Sequence, residues 1–82
     1  MTLTSEQVRA ARALLRWEQK KLAEESGISL PTIKRMEAKT GKISGHSSTI
    51  EDLRSALERN GIVFIEANGG GPGVRLRDPP AS

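Results

Sequence analysis

The chain has no cysteine and no tyrosine, and only one tryptophan, one phenylalanine and one histidine in 82 residues. No disulfide can form, and a lone histidine without thiols cannot assemble a zinc site, so no metal is expected. Catalytic groups are as scarce. There is no Ser-His-Asp set, no thiol nucleophile and no working pair of acids, and His46 sits on a glycine-flanked loop. The chain therefore reads as a non-enzyme without a cofactor. Long apolar runs are also missing. Nothing approaches the ~20 apolar residues that a membrane helix requires, and Met-Thr-Leu-Thr-Ser-Glu-Gln lacks the basic start and apolar run of a secretory signal. A soluble cytoplasmic protein with no membrane partner is the expectation. A chain this short supports one domain that buries about 60–65% of its unfolded surface. Helix packing must then supply the stability, with a second subunit as a further source.

What is present is an uneven distribution of charge. The 13 basic residues exceed the acids by three, a small margin, but they cluster. Arg9, Arg12, Arg16, Lys20 and Lys21 surround the single acid Glu18, and Lys34, Arg35, Lys39 and Lys42 surround Glu37. Taken alone, the first run is as consistent with a solvated face as with an anionic partner. The second follows a candidate recognition helix, which points it toward phosphate.

Residues 19–38 organise the rest. Leu22 and Ala23 give a first short helix its inward face, Gly27 suits the positive φ of a tight turn, and Ile28 plugs the corner. Ile33 and Met36, three apart, give a second helix its buried stripe. Ala23 is small where two steeply crossing helices come closest. Ser29 is placed as the N-cap of the second helix, with Pro31 in its first turn, where a missing amide does no harm. Upstream, Thr4 and Gln7 fit a capping box, and Val8, Ala11, Leu14 and Leu15 mark a helix over roughly residues 5–16. Trp17 is expected to cover the junction.

This pattern, carried by Gln19, Leu22, Ala23, Gly27, Ile28, Ser29, Thr32, Ile33, Met36 and Glu37, resembles the helix-turn-helix of the phage-repressor and Cro-like (XRE) family of bacterial DNA-binding proteins. The resemblance implies that an arginine on the first helix pairs with the glutamate closing the third, here Arg12 and Glu37, as a bidentate contact. The family's docking geometry brings Leu30, Pro31, Lys34 and Arg35 to base edges in a major groove. Lys34 can donate to guanine, whereas Leu30 and Pro31 can only meet thymine methyls or exclude a base. The family often has Gln or Ser at those two positions, so their apolar character here shifts weight toward backbone contacts and DNA shape. Gln19, Thr32, Lys39 and Lys42 are the expected phosphate contacts, the lysines on a Gly- and Ser-containing loop along the backbone. His46 is open to three readings: phosphate donor, helix cap or neither.

A fourth helix is expected from near Ser48, with Ser48 and Glu51 as a second capping box, Ile50, Leu53, Ala56 and Leu57 inward, and Asn60-Gly61 as its stop. Beyond it, Ile62-Val-Phe-Ile65 and Val74-Arg-Leu-Arg77 flank a glycine-rich turn and read as a β-hairpin with strands near residues 62–66 and 73–77. The turn lacks the Lys-Ser/Thr ending of a nucleotide loop. The expected architecture is mainly α: a four-helix repressor-like helix-turn-helix domain over residues 1–61, a C-terminal β-hairpin over 62–77 and a disordered tail over 78–82. The first strand is apolar on both faces, so pairing with a second copy through residues 62–77 is the expected use of the uncovered side. The function implied is a sequence-specific DNA-binding transcriptional regulator, a repressor acting as a homodimer on palindromic double-stranded DNA. The alternative is an antitoxin or accessory module that holds a protein partner through the hairpin and the fourth helix.

Overall fold

Thr4 opens the first helix. In the computed structural model, which describes residues 2–78, its hydroxyl accepts the Gln7 N–H at 3.1 Å while Gln7 Oε1 accepts the Thr4 N–H at 2.9 Å. These reciprocal bonds satisfy two first-turn donors that the helix itself leaves open. Helix α1 then runs Ser5–Leu15. It stops one residue short of the expected limit because Arg16 takes a left-handed conformation at φ 57, letting the Trp17 N–H return to the Arg12 carbonyl at 2.9 Å.

Helices α2 (Gln19–Ser26) and α3 (Leu30–Ala38) follow in quick succession. Gly27 ends α2 at φ 75, with its N–H on the Ala23 carbonyl. The Ser29 side chain accepts the Thr32 N–H to start α3, and Pro31 lies in the first turn. Helix α4 covers Ser47–Arg59. The expected Ser48–Glu51 box does not form: the helix begins a residue earlier, and His46 takes the cap position without a side-chain bond. Glu51 instead meets Arg54, whose Nη2 donates to both carboxylate oxygens at 2.7 and 2.8 Å. A charged donor competes well against a neutral amide for that carboxylate.

The core gathers Leu3, Val8, Ala11, Leu22, Ile28, Ile33, Met36, Ile43, Leu53, Leu57 and Ile62. Leu15, Trp17, Ala23 and Ile50 pack on its margin. Leu14, which its spacing from Ala11 had put on the inward stripe, is 41% exposed. Val8, Ala11 and Leu15 already complete an i, i+3, i+7 stripe, so Leu14 falls on the flank.

Strands β1 (Ile62–Ile65) and β2 (Gly73–Leu76) pair antiparallel, Ile62 opposite Leu76 and Phe64 opposite Val74. Those four residues share one face because side chains alternate along a strand. Ile62 is in the core and the other three pack against it. Val63, Ile65 and Arg75 share the opposite face, where Ile65 is 43% exposed. Gln7 ties the hairpin to α1: its Nε2 donates to the carbonyls of Ile65 and Gly73 at 3.3 and 3.1 Å. One buried amide therefore starts a helix with its oxygen and holds a hairpin with its nitrogen. Among the described residues no helix is long and apolar enough to cross a membrane. Of the expected disordered tail, residues 79–82 lie outside the described residues.

Candidate nucleic-acid interface

Helix α3 has two unlike faces. Ile33, Met36 and Glu37 are buried, while Pro31, Lys34, Arg35 and Ala38 are exposed. At 100° per residue these sets point in opposite directions. Leu30 and Thr32 lie between them and are half-buried. The outward surface is thus a proline and an alanine beside two cations. Ala38 was not singled out from sequence, although it stands four residues after Lys34 and so on the same side.

The back of α3 is held by one face of α1. Ser5, Arg9 and Arg12 are spaced four and three apart, which aligns them along that helix. Ser5 Oγ donates to the Met36 carbonyl at 2.7 Å. Arg9 Nη1 donates to the Glu37 carbonyl and, at 3.2 Å, to that of Lys39. Arg12 donates through Nε and Nη2 to the two Glu37 carboxylate oxygens at 2.8 and 2.7 Å. The last carbonyls of a helix have no partner within it, so α1 side chains complete the C-terminal end of α3. Sequence reasoning missed Ser5 and Arg9 because nothing local marks a side chain whose acceptor is 28 or more residues away.

Gln19 joins the same network. Its Nε2 donates to Glu37 Oε1 at 3.1 Å, so the residue expected on phosphate also steadies the carboxylate. The second N–H of that amide is left for another acceptor. Thr32 Oγ1 accepts from Ser29 Oγ at 2.8 Å and from Arg35 Nη2 at 3.5 Å. These contacts fix the position of the Thr32 hydroxyl at the edge of the exposed face.

The loop after α3 is tied to the N-terminal segment. Thr4 and Lys42 form an isolated antiparallel bridge. The Ser5 N–H reaches the Gly41 carbonyl at 2.9 Å, and the Ile43 N–H reaches that of Leu3 at 3.0 Å. Ile43 is 3% exposed, and as the one apolar residue in a polar loop it carried a sequence signal for this anchoring. Lys39 and Lys42 remain exposed on the anchored loop. Together with exposed Arg35 and Ser44 they line a notch of about 30 Å³ floored by Ser5, Met36 and Ile43. Three cations around a small concavity suit a phosphate oxygen.

Glu6 fastens this loop from below, accepting the Gly41 N–H on Oε1 at 3.0 Å. That bond, with the Glu6 backbone N–H and the Arg9 charge, holds its carboxyl below the ordinary value of 4.5 against a small opposing effect of burial. A carboxyl whose folded pKa is depressed adds stability above its unfolded pKa, and that stability is lost as pH falls through the folded value. The Glu6→Gln protein is therefore expected to lose less stability than the parent between pH 4.5 and the lowered pKa. Urea unfolding at a series of acidic pH values measures this, and identical pH profiles would remove Glu6 from the account.

Among the described residues no group of His, Asp and Glu side chains is placed to hold a metal ion. No curated protein matches the chain. Residues 8–47 match a family described as helix-turn-helix, a span that takes in most of α1, all of α2 and α3, and the anchored loop. The capped turn, the buried stripe and the family match agree, and residues 8–47 of this chain are a helix-turn-helix of the XRE family of DNA-binding proteins.

Proposed function

We propose that this chain is a sequence-specific transcriptional repressor that binds a palindromic operator as a homodimer. The observation that carries the reading is the division of α3, with its back bonded to α1 through Ser5, Arg9 and Arg12 and its cationic front open to solvent. In this reading Lys34 and Arg35 meet base edges beside the apolar Leu30 and Pro31, and Gln19, Thr32, Lys39 and Lys42 meet phosphates on either side. Arg35 shares its notch with Lys39 and Lys42, so it serves the backbone as well. Occupancy of the site is the means of regulation.

Anisotropy titrations of a selected duplex and an unrelated one, at two salt concentrations, separate the roles. Lys34→Ala is expected to cost about 1–3 kcal/mol on the selected duplex and to relax preference at one base. Lys39→Ala or Lys42→Ala is expected to weaken both duplexes alike and to lower the salt slope by about 1 each. Absence of binding to any duplex sinks the reading.

The second copy is assigned to the outer hairpin face, where Val63 and the 43%-exposed Ile65 flank Arg75. Two such faces related by a two-fold axis bury apolar surface on both sides and set paired half-sites about one helical turn, ~34 Å, apart or a multiple of it. Sedimentation of the parent is expected to give a dimer and of Ile65→Lys a monomer. A monomeric parent that acquires mass only with another polypeptide favours the accessory-module alternative on the same surface.

A further inference from the structure

The chain contains two Asn-Gly dipeptides, Asn60-Gly61 and Asn68-Gly69, and the fold treats them in opposite ways. We propose that Asn68 is a site of spontaneous covalent modification, converted to aspartate and isoaspartate by attack of its own main chain, while Asn60 is protected. This inference is independent of the DNA-binding reading.

The reaction needs the glycine nitrogen to lose its proton and approach the asparagine Cγ. The nitrogen forms a bond to Cγ, the Cγ–Nδ2 bond breaks, and Nδ2 leaves as ammonia after taking up a proton. A five-membered imide results. Water then adds to one of its two carbonyls, opening the ring to aspartate or to isoaspartate, with no oxidation or reduction. Glycine favours the closure because no Cβ hinders the approach and its backbone turns freely.

At the first dipeptide every participating group is held. Asn60 Nδ2 donates to the Ala56 carbonyl at 2.7 Å and to Glu25 Oε1 at 3.2 Å. The Gly61 N–H, whose nitrogen would be the nucleophile, donates to the Glu58 carbonyl at 3.1 Å. The Gly61 carbonyl accepts the Arg77 N–H at 2.7 Å, which ties the next peptide, Gly61–Ile62, to the end of the hairpin and fixes the glycine from its other side. Reaction there requires those bonds to open together.

The second dipeptide has none of these restraints. Asn68 and Gly69 are both exposed, in the segment joining β1 to β2, and Gly69 sits at φ 80. Among the described residues, neither the Asn68 amide nor the Gly69 N–H has a hydrogen-bond partner. Gly70 and Gly71 follow directly, and a Cβ built at Gly69, Gly70 or Gly71 meets nothing within 4 Å. The backbone there has room to bring nitrogen and Cγ together. Conversion lowers the formal charge of +3 by one, and the isoaspartyl product adds a main-chain carbon to the hairpin connection.

The test is incubation of the full chain in mildly alkaline buffer, with and without denaturing urea, followed by peptide mapping by mass spectrometry. In the folded chain Asn68 is expected to convert at least about tenfold faster than Asn60, since Asn60 reacts only from locally opened molecules. In urea the two rates are expected to converge through acceleration of Asn60. Equal conversion of both in the folded chain, no conversion of Asn68, or an Asn60 that stays inert in urea overturns the assignment.

Discussion

Replacing Arg12 by alanine is expected to destabilise the fold by about 3 kcal/mol, because it strands a buried carboxylate. The Glu37 side chain is 3% exposed and that of Arg12 20%. Both carboxylate oxygens take a guanidinium N–H at 2.7–2.8 Å. Without Arg12 the carboxylate keeps only the Gln19 amide at 3.1 Å, and the Trp17 carbonyl loses the Arg12 Nη1 bond of 3.0 Å. Desolvation of both partners offsets most of the attraction in the intact pair, so removing both should cost far less than removing one. Arg12→Leu combined with Glu37→Met is therefore expected to recover most of the lost stability. Urea unfolding of the two single variants and the double variant measures this directly. A single-variant loss below about 1 kcal/mol would mean that water reaches the carboxylate and that the pair is an ordinary surface contact. The same variants also report on α3. If the pair sets its tilt, the double variant should regain stability without regaining full discrimination between duplexes.

Leu22→Ala is expected to cost still more, about 3–4 kcal/mol, through lost transfer energy and the cavity left behind. Leu22 is completely buried on α2, and α2 packs against both α3 and α4. A domain of this size has roughly 4–12 kcal/mol in total at about 0.05–0.15 kcal/mol per residue. One truncation can therefore consume most of it, and DNA binding should fall with the folded fraction. Leu14 provides the control. It has the same side chain at 41% exposure, and Leu14→Ala should change stability by less than about 0.5 kcal/mol. Equal losses at the two leucines in urea titrations would contradict the core described above.

Leu14 and Leu22 also mark where reading the chain directly succeeds and where it stops. Leu22 sits in a pattern that only one face of a short helix satisfies. Leu14 and Leu15 are adjacent, and spacing from Ala11 and Val8 admits either. Arg16 posed a similar ambiguity, since nothing in its type announces a left-handed helix end. At Glu51 a capping role and a pairing with Arg54 compete for one carboxylate, and the charged donor three residues away prevailed.

Gln7 is the most instructive of the candidate-site neighbours. Its bond to Thr4, three residues back, was legible from the capping pattern. Its bonds to Ile65 and Gly73, 58 and 66 residues on, were not. Ser5, Arg9 and Glu6 belong with that second kind, for each binds a backbone group of α3 or the following loop. The pairing of Arg12 with Glu37 entered through resemblance to a family, because 25 residues separate them and no periodicity connects the two.

The amino-acid order alone determined the features whose causes lie within a few residues. These are the Thr4 and Ser29 caps, the Gly27 turn, the apolar stripes of the helices and the alternation of the strands, all governed by local sterics and neighbouring hydrogen bonds. Only the tertiary structure decided which polar side chains of α1 close the end of α3, how the cationic loop is anchored, and which Asn-Gly peptide is shielded. Those outcomes depend on distant backbone groups brought together by burial of the shared core, and chain order does not encode such distances locally.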